Sequence, residues 1–196
     1  MVTYRIRRLP TDDSTSRRYH LFYRTDQLLL VADQGSAWLP EGDVPQVRFA
    51  RPGGERVAVM DLPRPAERRA DRKQNYAVIY EHAVYALITT MDLSSVTGIP
   101  SSAPKPFDRM VIEVEGNRWL GLCWTGNEGA LMVFYDIEAA GLSPSVDPEA
   151  ADLPEPIGLL EVSLGDYDFD LTLPVGQPAQ SALLGLALVY PVEGGA

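Results

Sequence analysis

The side chains best suited to nucleophilic and acid–base chemistry near neutral pH, histidine and cysteine, are few in this chain. The histidines are His20 and His82, and the one cysteine is Cys123. A Cys-His pair makes a thiolate nucleophile only when the fold brings both within hydrogen-bond reach. Cys123 falls on the apolar side of an alternating run, where a free thiol is ordinarily inert packing. His82 falls at a turn. No Ser sits in a nucleophile elbow, and "RPGGER" (51–56) lacks the Lys-Ser/Thr ending of a phosphate loop. In "DYDFD", Asp166, Asp168 and Asp170 alternate with apolar residues. They share one face of a strand, about 7 Å apart in succession. A hard cation could bridge two of them, but divalent sites usually draw oxygen ligands from tight loops. A solvated face that discourages edge pairing is the plainer expectation. No metal and no cofactor is expected.

The remaining candidate is basic. "RPAERRADRKQ" carries Arg64, Arg68, Arg69, Arg72 and Lys73, offset by Glu67 and Asp71. Such a cluster can hold an anion, a lipid headgroup or an acidic protein surface. It can equally be a solvated loop or short helix whose charges pair locally. Trp38, Trp119 and Trp124 read as core or rim packing rather than as ligand-stacking platforms.

Charge is unevenly spread. The net charge is −10 over 196 residues; residues 1–73 carry net +4 and residues 74–196 net −14. The basic part marks an interaction face. The acidic remainder repels phosphates and argues against nucleic acid as a partner. A single cysteine excludes an internal disulfide and fits a reducing compartment. "MVTYRIRRLP" has no apolar signal region, and no apolar run approaches the ~20 residues of a membrane-spanning helix. A cytoplasmic protein without a transmembrane segment is expected.

These residues must be positioned by strands. Hairpin patterns recur at short spacing: Tyr19–Asp33 with a turn at Thr25-Asp26, Asn75–Thr90 with a turn near Glu81-His82, and Arg109–Trp124 with a turn at Gly116-Asn117. The last pairing sets Glu115 opposite Arg118, Val114 opposite Trp119 and Glu113 opposite Leu120. Met110, Ile112, Val114, Trp119, Gly121 and Cys123 then share the core face. The first two hairpins are apolar on both faces, as strands covered on both sides are. Further strands are expected at 3–9, 46–50, 55–61, 130–137 and near 157–171, with "RPGG" (51–54) as a turn. The acidic, Pro-rich segment 138–156 reads as a mobile loop inserted in one domain spanning 1–196. Ten to twelve mostly antiparallel strands with no long helix before residue 175 give an all-β barrel or sandwich.

"QSALLGLALVY" (180–190) is apolar throughout. Its Leu and Ala favour a helix, with Pro178 at its first turn and Pro191 as its stop. A helix apolar on all sides must be surrounded. A closed barrel with the helix along its axis does this and leaves no sheet edge.

Strand hairpins ending in "IGLLEVSLGDYDFDLTLPVGQPAQSALLGLALVY" resemble the C-terminal part of the tubby-like superfamily, which includes the phospholipid scramblase-like and LURP-one-related proteins. The resemblance implies a twelve-stranded barrel around a hydrophobic C-terminal helix. It also implies a binding or scaffolding role, often at membrane lipids. The chain has no tubby phosphoinositide signature, cysteine-rich palmitoylation cluster or Pro-rich N-terminal region. The expected function is a non-enzymatic binding or scaffold module for anionic lipid headgroups or a protein partner. The alternative is a hollow barrel that binds or hydrolyses a small molecule.

Overall fold

The computed structural model describes residues 1–11, 17–23, 26–39, 42–63, 73–91, 109–125, 129–149, 152–163, 168–174 and 178–194. Alternation of apolar and polar residues sets the strands, because successive side chains in a strand face opposite sides. The first six are β1 (Val2–Leu9), β2 (Arg18–Tyr23), β3 (Gln27–Leu39), β4 (Gly42–Ala50), β5 (Arg56–Asp61) and β6 (Gln74–Tyr80). The next six are β7 (Ala83–Met91), β8 (Arg109–Val114), β9 (Asn117–Thr125), β10 (Gly129–Asp136), β11 (Gly158–Ser163) and β12 (Asp168–Leu173). A short helix α1 (Ile137–Ala140) follows β10, and α2 (Pro178–Gly194) ends the chain. Each strand pairs antiparallel with the one before it, and β12 pairs with β1 to close the barrel. Closure removes the edge that any open sheet would leave.

The inward side chains include Tyr4, Ile6, Tyr19, Leu21, Phe49, Met60, Ile88, Phe134 and Phe169, all buried. They surround α2, in which every residue from Ala182 to Tyr190 is buried. The helix touches β1, β2, β3, β7 and β12, which lie on different sides of the barrel. Tyr190 packs edge-on against Tyr19 of the wall at 4.9 Å between ring centroids. The axial helix expected from the sequence is therefore the core of the molecule. Gly185 packs tightly on the wall, because a Cβ there would run into the Leu171 side chain of β12.

Two local expectations are corrected. The β8–β9 pairing joins Val114 to Asn117, Glu113 to Arg118 and Ile112 to Trp119, so the turn is Glu115-Gly116 rather than Gly116-Asn117. Both turn residues have positive φ, 50° and 80°, as a type I′ turn requires, and glycine takes the second position. The shift is two residues, which preserves faces: Met110, Ile112, Val114 and Cys123 are buried, and Trp119 packs half-buried against the core. Secondly, Pro191 does not stop the helix, which runs on to Gly194. Pro191 lacks the N–H that would bond the Ala187 carbonyl, but it is buried in the barrel and the wall holds the last turn in line. Elsewhere the turn at Glu81-His82 is found, both residues being left-handed, and residues 51–55 connect β4 to β5.

A second, smaller core lies outside the wall. Val111, Leu120, Leu122 and Tyr135 are buried although they face outward from β8, β9 and β10. The segment after β10 covers them with Ile137, Leu142, Val146 and Leu153. Asp136 caps α1 by accepting from the Glu138 and Ala139 N–H groups, and Gly141 ends it with φ 62°. Arg109, 1% exposed, donates from Nη1 to the Pro144 and Val146 carbonyls at 2.7 and 3.0 Å. The acidic Pro-rich segment expected to be mobile is thus anchored to the barrel at these points. The strands covered on both sides are β8–β10. In the two hairpins for which that was expected, the outward Phe22, Val31, Ile79 and Leu87 are only half-buried.

Candidate functional site

The chemistry-bearing residues are placed apart. His20 projects outward from β2, with its ring 6.1 Å from that of Phe22. Its pKa is lowered, first by burial and then by the Arg18 charge. His82 is exposed at the β6–β7 turn. Cys123 is buried on the inner side of β9. The three stand on different elements and faces, and no Cys-His pair is formed.

The acidic alternation on β12 is met by arginines. The β1–β12 register sets Arg5 opposite Asp170 and Arg7 opposite Asp168. Arg5 and Arg7 reach those carboxylates at 3.5 Å across an exposed face. Arg7 also lies over the Phe22 ring at 5.7 Å. Such exposed pairs contribute about 0–1 kcal/mol each, and they set a positive guanidinium beside each carboxylate. Asp166 lies outside the described residues. Among the described residues no group of three or more His, Cys, Asp or Glu side chains is arranged to hold a metal.

Of the basic stretch, Arg64, Arg68, Arg69 and Arg72 lie outside the described residues. Lys73 is exposed immediately before β6. The strand directions join β5 to β6 at the same rim as β1 to β2. That rim carries Arg8, Arg17 and Arg18, the last paired with Asp33. The opposite rim carries Glu81, Glu115 and Glu138 at its turns, and the Arg51–Glu55 pair at the β4–β5 turn. Trp124 is 36% exposed on the outer face. The Trp38 side chain lies outside the described residues.

An open groove of about 450 Å³ lies at the acidic rim, where the β6–β7 hairpin rises past the β8–β9 hairpin. The β7–β8 ladder ends at Ala86 and Val114, so Ala83–Tyr85 continue past the last shared rung. Val84 and Leu87 give the groove an apolar side; Glu113, Glu115 and Arg118 give it a charged one. Val84 is 66% exposed, an unusual setting for a strand valine. Glu113 and Arg118 pair at 3.4 Å. Glu115 has no ion pair among the described residues; it sits close enough to Tyr85 to help raise that phenol's pKa, after burial as the larger cause. The sequence signal for this groove was slight: a Glu at a left-handed turn position and a valine on the wet side of its strand.

The second buried face and Arg109 were also missed. Their signal was there, since Val111, Leu120 and Leu122 occupy positions that face outward in "RMVIEV" and "NRWLGLCWT". No helix among the described residues is long and apolar enough to cross a membrane. Comparisons with family models, with curated proteins and with solved structures give no match to this chain.

Proposed function

We propose that this protein is a non-enzymatic binding or scaffolding module that acts through its outer surface and rims in the cytoplasm. The observation that carries this reading is the occupied axis: Ala182–Tyr190 lie buried along the middle of the barrel, where hollow barrels keep their ligand chamber. An occupied axis favours the module over the hollow, small-molecule-binding alternative. Twelve strands closed around an apolar C-terminal helix support the tubby-like likeness, and with it a role at anionic lipids or a protein partner.

The proposed lipid contact is the basic segment Arg64, Arg68, Arg69, Arg72 and Lys73. Liposome sedimentation across salt concentrations tests this. Binding to phosphatidylserine vesicles is expected to weaken when Arg68 and Arg69 are replaced by Ala. It should fade as salt rises, because exposed charges are screened over about 8 Å at physiological ionic strength. Failure of the unmodified protein to sediment with anionic vesicles at low salt would dispose of the lipid contact.

A further inference from the structure

We propose that the groove beside Val84 binds an extended, cationic and apolar peptide segment of a partner protein. This rests on reading the protein as a binding module and names one surface of it. Three features fix the chemistry of the occupant. Ala83 and Val84 pair with β6 on one side and extend past the β7–β8 ladder on the other, so an added strand can approach that second side. Val84 stands 66% exposed with Leu87 beside it, a contact for an apolar side chain. The charges select the sign of the partner. Glu113 and Arg118 satisfy one another, which leaves Glu115 as the net charge of the groove. Glu113, Glu115 and Arg118 are the charged residues that line it, net −1. An anionic partner is repelled there, and a Lys or Arg one residue away from an apolar side chain is matched.

Membrane insertion fits less well. A phospholipid surface would meet the Glu81, Glu115 and Glu138 rim, and anionic headgroups would be driven off.

The test uses the full chain and two capped probe peptides, acetyl-TVKVKVT-amide and its acidic counterpart acetyl-TVEVEVT-amide. Amide chemical shifts are followed by NMR during titration. The lysine peptide should shift the signals of 83–87 and 113–118, and the acidic peptide should not. Val84 and Glu115 are both exposed, so Val84→Ser and Glu115→Gln will fold. Each should weaken lysine-peptide binding on the order of tenfold, the usual loss for one buried apolar contact or one charge-assisted bond. Equal binding of both peptides, unchanged affinity in Glu115→Gln, or no shifts at all would overturn the proposal. So would groove shifts produced by phosphatidylglycerol vesicles but not by peptide. Shifts confined to other surfaces would remove the groove while leaving the binding-module reading intact, which the vesicle experiment judges separately.

Discussion

Leu186 is the sharpest probe of the enclosed helix. It is 0% exposed at the middle of α2, and Leu183, Leu184 and Leu188 point in other directions around the helix at about 100° per residue. Leu→Ala in a core costs roughly 2–5 kcal/mol, and the cost grows with the cavity that remains. A helix inside a closed, hydrogen-bonded wall has little freedom to collapse, so Leu186→Ala belongs in the upper half of that range. At this chain length each kcal/mol moves the unfolding midpoint by about 2–4 °C, giving a fall on the order of 10 °C. Leu186→Asp is more severe, since a buried carboxylate finds no cation there. Removal of everything after Gln180 withdraws the four leucines together, roughly 6–12 kcal/mol of burial. That rivals the entire stability of a typical domain, about 5–15 kcal/mol. Thermal and urea unfolding, followed by circular dichroism and tryptophan fluorescence, measure all three. A chain ending at Gln180 that unfolds cooperatively at the original midpoint would refute the reasoning, because the barrel would then stand without its filling.

Three further outcomes are expected. Gly185→Ala gains about 1 kcal/mol of helix propensity but drives its Cβ into Leu171; the net effect is destabilising by about 1–3 kcal/mol, and Leu171→Ala should show positive coupling with it in a double-mutant cycle of unfolding energies. Arg109→Met removes the donor to the Pro144 and Val146 carbonyls, costing roughly 1–3 kcal/mol, and limited proteolysis should then cut within 142–153 while the barrel remains folded. In alkali, Tyr85 and Tyr4 hold their protons in the folded state above the ordinary value of 10.0, chiefly because of burial. The unfolded chain releases those protons first, so stability is full below that pH and declines as pH rises through it; phenolate absorbance should show late-titrating tyrosines in the folded protein, one of them absent in Tyr85→Phe.

The strands were legible because alternation is local: the face of each residue in "RMVIEV" follows from its parity. Faces even survived an error of two residues in the β8–β9 register, since only an odd slip exchanges them. The exact rung was not legible. It depends on which I′ turn best joins a Glu113–Arg118 pair to an Ile112–Trp119 pair, an energy shared across two strands. The site was less readable still. Val84 looks like any strand valine until its neighbours are known. Arg109 looks like a surface charge until a segment 35 residues away in sequence, bearing Pro144, is laid over it.

The sequence by itself determined an all-β chain ending in a helix apolar on every side, and that combination determined the enclosure. An apolar run of this kind has no stable place in water, and only a closed wall buries all of its directions at once. Tertiary structure alone decided which outer faces are covered, which charges cancel and where a groove stays open. Those properties belong to pairs of distant residues, such as Arg5 with Asp170 or Arg109 with Pro144, whose proximity no local pattern encodes.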